Sequence, residues 1–382
     1  MSDSTVSTWF AEEVQPHERA LRIFLRTRFP AHPDIDDLVQ ETYARILKAR
    51  EQAPVRSPKA FLFVTARNAA LDFFRRRKII AIDGSTIGVT AREADAAADP
   101  ASAAERVFAN LAYGPHPERN RLDLYLPAEP SDRPLPLVIW VHSGGWCTGG
   151  KGGGGAARAL VKRGYAVAAI NYRFSQDAVF PAQIEDCQRA IRWLRAHAAT
   201  YNLDSTKFGA WGRSAGGHLV ALLGTAPDRF RAPLDDPHRE LPASVVAVCA
   251  LNPPTDMLRW DAQALPDPQV VANQPDSMVA RLLGGPPDLL PDAARRASPI
   301  TYVGSRSAPF FLVHGDADRA VPPQQSITFD AALRVAGVES TLHLVPGGGH
   351  ANETFAQGVP REEIAAFFDR HLKPPRPATQ RP

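Results

Sequence analysis

The chain has 382 residues, of which 44% are hydrophobic and 22% are charged, values typical of a folded globular protein. No run of about 18 apolar residues occurs, and Met1–Thr5 precedes no apolar signal core, so the sequence predicts neither a membrane helix nor a secretory signal. Three widely separated cysteines, Cys147, Cys187 and Cys249, suit a reducing compartment without disulfides. We therefore expect a cytoplasmic protein that is long enough for two domains.

The first predicted elements are three helices in a basic segment. Residues 1–80 contain 14 Lys and Arg against 10 Asp and Glu, so this segment accounts for the net charge of +3 of the whole chain. Apolar residues at helical spacing predict one helix over Glu18–Phe29 and a second that begins with the acidic turn Asp34–Asp37. Ser57–Pro58 suits the start of a third helix, which ends in the basic run Arg75–Lys78.

Two stretches of this segment resemble region 2 of extracytoplasmic-function sigma factors. They are Asp36–Arg45, DDLVQETYAR, and Ala60–Asp72, AFLFVTARNAALD. The resemblance implies a helical domain over residues 9–80, with RNA polymerase and promoter DNA as partners. The residues that it places at these contacts are Asp37, Gln40, Glu41, Arg67, Asn68, Arg75 and Arg76.

The chain departs from the sigma-factor pattern after residue 80. Such sigma factors carry a second, helix-turn-helix domain, whereas here an Ala/Asp-rich linker over 81–105 leads into a segment without that pattern. Two interpretations stay open. The domain either still contacts polymerase, or it is a basic helical bundle that has no remaining role in transcription.

From residue 106 onward, apolar runs of strand length alternate with helical segments. The strand candidates are 122–126, 137–141, 166–170, 207–211, 244–250, 309–313 and 340–345. This alternation predicts an α/β fold with a mainly parallel sheet flanked by helices, preceded by the small all-α domain. We expect the α/β domain to span 106–373 and the Pro-rich tail, 374–382, to be disordered.

The strand candidate 137–141 leads into the motif HSGGW, His142–Trp146. This motif is similar to the Gly-rich loop of esterases, whose backbone N–H groups bind the oxyanion of a tetrahedral intermediate. We expect Gly144 and Gly145, together with the N–H of Ala215, to supply these donors. The alternative is an ordinary Gly-rich turn.

The motif GRSAG, Gly212–Gly216, follows one predicted strand and precedes a predicted helix. A Gly-x-Ser-x-Gly motif in this context is typical of a nucleophile elbow, which makes Ser214 the expected nucleophile. The small residues on either side suit a strained backbone at the serine. The motif therefore predicts acyl transfer through a covalent acyl-Ser214 intermediate.

Two further motifs follow predicted strands nearer the C-terminus. In the turn HGDADRAVP after 309–313, Asp316 and Asp318 both qualify by position as the acid that orients a catalytic histidine. The hydrolase pattern His-Gly-x-x-Asp-x-x-Val-Pro points to Asp318, and we expect Asp316 to cap the turn. After the last predicted strand, PGGGH ends in His350, which suits the general base. The order Ser214, Asp318, His350 is that of α/β-hydrolases.

Residues from about 107 to 373 resemble the bifunctional feruloyl/acetyl-xylan esterases, α/β-hydrolases close to the hormone-sensitive-lipase-like esterases. Besides the motifs above, the resemblance rests on Arg121–Pro127, Ala169–Arg173 and Ala297–Ile300. It implies a serine carboxylesterase. Ser143 departs from the family pattern at the first glycine of the oxyanion loop.

The sequence contains no zinc-type Cys/His cluster and no Walker loop, so we expect no metal and no cofactor.

The segment 253–300 lies between the fifth strand candidate and the strand of the acid. We expect it to shape a pocket for a small ester, with Asp256 and Trp260 as wall residues beside Trp146, although an ordinary surface excursion fits equally well. Its modest length favours short acyl groups such as acetyl.

Two other functions stay open: a transcription protein whose hydrolase domain senses a ligand, and a formamidase or peptidase with the same triad.

Overall fold

The computed structural model describes residues 9–10, 12–28, 35–52, 58, 61–63, 65–66 and 105–373, except 228 and 231. The chain divides into two compact units, Met1–Val89 and Thr90–Pro382. Of the predicted linker and tail, only residue 105 belongs to the described part, so those two assignments stay predictions. No helix in the described ranges combines the length and the apolarity that crossing a membrane requires.

The N-terminal unit is helical over its described residues. A 3-10 turn, Gln15–His17, leads into α1 (Glu18–Arg28), and α2 follows (Ile35–Gln52). The third predicted helix lies mainly outside the described residues, although positions 58, 61–63 and 65–66 are helical. The unit has its own buried core, which consists of Val14, Leu21, Leu25, Leu38, Val39, Tyr43, Ile46, Leu62 and Ala66.

In the described part of the C-terminal unit, eight strands form one sheet. They are β1 (Glu105–Ala112), β2 (Arg121–Pro127), β3 (Leu135–Val141), β4 (Ala166–Ile170), β5 (Leu203–Arg213), β6 (Ala247–Leu251), β7 (Phe310–Gly315) and β8 (Ser340–Val345). Their order is β1-β2-β4-β3-β5-β6-β7-β8. β2 runs opposite to the other seven strands of this part of the chain, so the predicted α/β class with a mainly parallel sheet is confirmed.

The sequence patterns do not predict β1. This strand lies at one edge of the sheet, and most of its side chains are exposed, including Val107 and Phe108. A strand without a buried face leaves no alternating hydrophobic signal. The predicted start of the catalytic domain at residue 106 therefore falls one position inside β1, which begins at Glu105.

Helices cover both faces of the sheet. They are a 3-10 segment (Gly152–Arg163), α3 (Ala182–Ala196), α4 (Ala198–Tyr201), α5 (Ala215–Thr225), α6 (Met278–Leu283), α7 (Pro291–Ala297), α8 (Gln324–Val335), α9 (Glu353–Gly358) and α10 (Arg361–Leu372), with 3-10 turns at Asp261–Gln263 and Pro299–Tyr302. Because side chains alternate along a strand, the neighbours Ile139 and Trp140 belong to two different cores. The first core includes α3, α5 and α8, and the second includes the 3-10 segment and α10.

Candidate active site

Ser214 stands between the carboxyl end of β5 and the start of α5. Its backbone has φ 53° and ψ −119°, a conformation that residues other than glycine rarely adopt. The turn is held on both sides, since the Ser214 amide donates to the carbonyl of Leu251 at 2.8 Å and the amide of His218 donates to the Ser214 carbonyl at 2.9 Å. The strain therefore stays localised at the residue that carries the hydroxyl.

Gly216 of the GRSAG motif has a steric reason to be glycine. A Cβ at this position would overlap the backbone carbonyl of Val141 at the end of β3. Because that carbonyl belongs to a central strand of the sheet, it cannot move aside at low cost. Glycine thus lets α5 begin directly against β3, which brings Ser214 close to the loop that follows β3.

Three side chains form a chain of hydrogen bonds at the carboxyl edge of the sheet. His350 Nε2 lies 2.9 Å from Ser214 Oγ, and His350 Nδ1 lies 2.7 Å from Asp318 Oδ2. An ionised carboxylate only accepts, so Nδ1 carries the ring proton and Nε2 faces the serine hydroxyl as an acceptor. The structure thus brings together the three residues that the sequence motifs select.

Asp318 is fully buried, and its carboxylate accepts hydrogen bonds from four donors. Oδ1 accepts from the amides of Ala320 and Val321, each at 2.9 Å. Oδ2 accepts from Asn252 Nδ2 at 2.6 Å and from His350. These bonds replace the water that the charged group loses on burial.

His314 lies beside this carboxylate inside the protein. Its Nε2 is 3.0 Å from the carbonyl of Val321 and 3.5 Å from Asp318 Oδ2, and its Nδ1 is 2.7 Å from Ser326 Oγ. Burial alone would raise the pKa of Asp318, but the interactions with His314 and His350 hold that pKa well below its ordinary value. Asp318 is therefore ionised at neutral pH and can orient the His350 ring.

The other acid of the same turn has a different contact. Asp316 Oδ1 accepts the amide hydrogen of Gly347 at 2.7 Å, which ties the turn after β7 to the glycine turn before His350. Of the two acids that qualify by position, it is Asp318 that contacts His350. The sequence motifs do not select Asn252 as a partner of Asp318, and its one local signal is its position after β6. His314 is the first residue of the His-Gly-x-x-Asp pattern, but that pattern does not assign it a contact with Asp318.

The oxyanion loop after β3 is a tight glycine turn. Gly144 has φ 117° and Gly145 has φ 57°, and the Gly144 carbonyl accepts the amides of Cys147 and Thr148, each at 3.0 Å. Ala215 is the first residue of α5, so its amide has no acceptor within the helix. Among the described residues, no acceptor is found for the amides of Gly144, Gly145 and Ala215. Their role as oxyanion donors stays a prediction.

The three residues expected at the pocket have different surroundings. Trp146 and Trp260 are each 1% exposed and belong to the larger core. Asp256 is half-buried, and its Oδ1 accepts the amides of Leu258 and Arg259 at 3.1 and 3.3 Å, as in a capped turn. Contact of these three side chains with a substrate stays a prediction.

A buried histidine connects the oxyanion loop to the segment 253–300. His218 Nδ1 accepts from Trp146 Nε1 at 3.1 Å, and His218 Nε2 donates to the carbonyl of Ala297 at 2.7 Å. His142, at the start of the loop, donates from Nδ1 to the Ser143 carbonyl at 2.7 Å and stacks on Tyr172. Burial lowers the pKa of both His142 and His218 to about 4. Both rings are therefore neutral structural groups at neutral pH.

The residues expected at polymerase and DNA contacts are only partly described. Asp37, Gln40 and Glu41 lie on α2, and the Gln40 side chain is exposed. The other four, Arg67, Asn68, Arg75 and Arg76, lie outside the described residues.

Within the described ranges, no group of three or more His, Cys, Asp and Glu side chains is placed to hold a metal ion.

A serine elbow at the carboxyl edge of a mainly parallel sheet is characteristic of α/β-hydrolases, and this is the class of the C-terminal unit. The BD-FAE family model matches residues 122–333, more than half of the chain. The chain belongs to the BD-FAE family, in agreement with the feruloyl/acetyl-xylan esterase resemblance. Residues 14–79 match the Sigma-70 region 2 model, so the N-terminal unit contains a Sigma-70 region 2 domain.

Individual relatives agree with this assignment. Esterase LipQ of Mycobacterium tuberculosis is 31% identical over 264 residues, which are 68% of this chain and 61% of LipQ. The chain thus spans about three fifths of the length of that relative. A truncated carbohydrate esterase from gut microbiota has 28% identity and a TM-score of 0.61, covering 71% of this chain and 98% of its own. The propionate-bound esterase Est2 of Thermogutta terrifontis has 26% identity and a TM-score of 0.55, covering 71% of this chain and 96% of its own.

We expect the free energy of unfolding to fall as the pH drops from about 6.5 towards about 4. His142 and His218 have a folded-state pKa of about 4, below their ordinary value of 6.5. In that window the unfolded chain binds protons that the folded chain excludes, so acid destabilises the fold, by up to about 1.4 kcal/mol for each unit by which a pKa is lowered. Asp318 adds little above about pH 5, because there its carboxyl group is ionised in both states.

The measurement is the urea midpoint at about pH 7 and about pH 5 for the wild type and for His218→Gln. The variant lacks one of the two rings whose pKa burial lowers, so its midpoint should fall less on acidification. An equal fall in both proteins would contradict the assignment of His218 as a neutral buried ring.

Proposed function

We propose that the chain is a serine carboxylesterase that hydrolyses short-chain esters through Ser214, His350 and Asp318. The observation that carries the proposal is the unbroken chain of hydrogen bonds from Ser214 Oγ through His350 to the buried Asp318 carboxylate. Membership of the BD-FAE family and the likeness to proteins named as esterases support the same reaction class.

The reaction begins when Ser214 Oγ attacks the carbonyl carbon of the ester and passes its proton to His350 Nε2. The charge that develops on the carbonyl oxygen is stabilised by the amides of Gly144, Gly145 and Ala215. The bond to the alcohol then breaks, and the leaving oxygen takes the proton from His350. Water then attacks the acyl-serine and passes one proton to His350 Nε2. The bond between the acyl carbon and Ser214 Oγ breaks, Oγ takes that proton back from His350, and the acid is released.

Asp318 acts through His350 in both steps. Its negative charge stabilises the imidazolium that forms each time the ring accepts a proton. Because Asp318 is buried and held by four donors, its direction changes little while His350 charges and discharges. All of these groups belong to the chain itself, so the proposed reaction uses no cofactor.

Packing against the oxyanion loop supports a preference for short acyl groups. A Cβ at Gly145 would lie 2.8 Å from Met278 Sδ, so the start of α6 in the segment 253–300 packs on this loop. The Met278 side chain therefore narrows the space beside the carbonyl group of a bound ester. The propionate bound to the related Est2 esterase is in keeping with a short acyl group here.

The Sigma-70 region 2 match favours a second candidate function for the N-terminal unit. We infer that this unit contacts RNA polymerase through α2, where Gln40 is exposed. In this case the esterase domain would accompany, or sense a ligand for, a transcription protein. Binding to polymerase should then be independent of the serine nucleophile.

We expect the wild type to hydrolyse p-nitrophenyl acetate with a higher kcat/KM than p-nitrophenyl octanoate. Ser214→Ala should lose this activity, and Asp318→Asn should lower kcat by roughly 10³- to 10⁴-fold because the amide favours the wrong tautomer of His350. Circular dichroism of both variants controls for folding. A wild type that prefers the octanoate would contradict the short-chain specificity, and a Ser214→Ala protein with full activity would contradict the mechanism.

For the N-terminal unit, we expect the full chain to bind core RNA polymerase in a pull-down. Substitutions within 36–45, such as Gln40→Ala, should weaken binding, whereas Ser214→Ala should not change it. Absence of binding, or binding that is insensitive to substitutions in α2, would contradict the polymerase contact and leave the esterase proposal unaffected.

A further inference from the structure

α6 (Met278–Leu283) brings one charged residue to the oxyanion loop. Met278 packs on Gly145, and Arg281 follows about one turn later on the same side of the helix. The helix is fixed at both ends, because Ser277 Oγ accepts the amide of Ala280 at 2.9 Å and the carbonyl of Leu282 accepts the amide of Phe180 at 2.8 Å. The backbone that carries Arg281 is therefore held in place beside the candidate site.

Among the described residues, Arg281 lacks the anionic partner that two buried arginines of this domain, Arg189 and Arg192, have. The side chain is partly buried, its Nε is shielded from solvent without a hydrogen-bond acceptor, and it forms no ion pair with a residue that the structure describes. By contrast, Arg192 pairs with Asp236 at 2.7 Å and Arg189 pairs with Asp235 at 2.6 Å. A partly desolvated guanidinium without an anion is unfavourable, so the position favours binding of an anion from outside the chain.

The charge of Arg281 acts on the oxyanion loop. Burial raises the pKa of the Cys147 thiol, and the positive charge of Arg281 opposes this shift. Cys147 belongs to the same turn as the proposed oxyanion donors, since its Sγ lies 3.5 Å from the carbonyl of Gly144. Because Met278 packs on Gly145 and Arg281 follows one turn later on α6, Arg281 stands beside the turn that carries the proposed oxyanion donors.

We propose that Arg281 binds a carboxylate of the substrate, so that the preferred esters are anionic. This inference rests on the proposed esterase function and narrows its substrate class. A guanidinium donates two parallel hydrogen bonds to a carboxylate, which gives both affinity and orientation. The carboxylate has two possible sources: the acyl group, as in a hemiester of a dicarboxylic acid, or the alcohol.

The test compares kcat/KM for matched anionic and neutral esters by pH-stat titration. In the first pair, monoethyl succinate carries the charge on the acyl group and ethyl butyrate is its neutral match. In the second pair, 4-acetoxybenzoate carries the charge on the alcohol and its methyl ester is the neutral match. In the wild type one of these pairs should favour the anionic ester. In Arg281→Gln that preference should fall by about 10- to 100-fold, and Arg281→Lys should restore part of it.

Arg306→Gln is the matched control. Arg306 is exposed and precedes β7, so it lies at the amino edge of the sheet, away from Ser214, and its loss removes the same charge. The anionic preference should be the same in this variant as in the wild type. An anionic preference that Arg281→Gln leaves unchanged in both pairs overturns the proposal, and so does an equal loss of turnover for anionic and neutral esters.

A binding measurement separates this inference from the esterase proposal. Calorimetry with Ser214→Ala should show tighter binding of the preferred anionic ester than with Ser214→Ala/Arg281→Gln, and this result does not depend on turnover. Equal binding by the two proteins overturns the anion site. Lack of hydrolysis of every ester, anionic and neutral, by the wild type counts against the esterase function alone.

Discussion

The buried carboxylate of Asp318 is the constraint on which the candidate site depends. A charge removed from water is tolerated only when hydrogen bonds replace its hydration, and here two backbone amides, Asn252 and His350 do so. The same contacts fix the direction of the carboxylate and therefore the orientation of the His350 ring towards Ser214. The same hydrogen bonds therefore stabilise the buried charge and hold the geometry that is proposed for catalysis.

Sheet topology supplies these partners. Ser214, Asn252 and Asp318 follow β5, β6 and β7, which are neighbours in the sheet, and His350 follows β8 at its edge. In a parallel sheet all carboxyl ends lie along one edge, so residues 136 positions apart come within hydrogen-bonding distance. The loop after β3 joins the same edge, where the contact between Trp146 and His218 ties it to α5.

The sequence predicts the parts of the site whose signal is local. The GRSAG elbow, the acid turn and the PGGGH turn each combine a strand with a recognisable turn, and the structure brings Ser214, Asp318 and His350 together. The contact of Asn252 with Asp318 is not predicted because it depends on the pairing of β6 with β7, which no local pattern encodes. The contact of His314 is not predicted because only the turn after β7 brings the Asp318 carboxylate back to a ring four residues earlier. β1 escapes it because an exposed edge strand carries no hydrophobic alternation.

In the proposed mechanism, His350 activates Ser214 as the nucleophile. The most direct test is peptide mapping by mass spectrometry after reaction with an organophosphate ester, which phosphorylates activated serine hydroxyls. We expect a single adduct on the peptide that contains Ser214, formed orders of magnitude more slowly in His350→Gln. An adduct on another residue, or labelling of Ser214 at the same rate in His350→Gln as in the wild type, would contradict it.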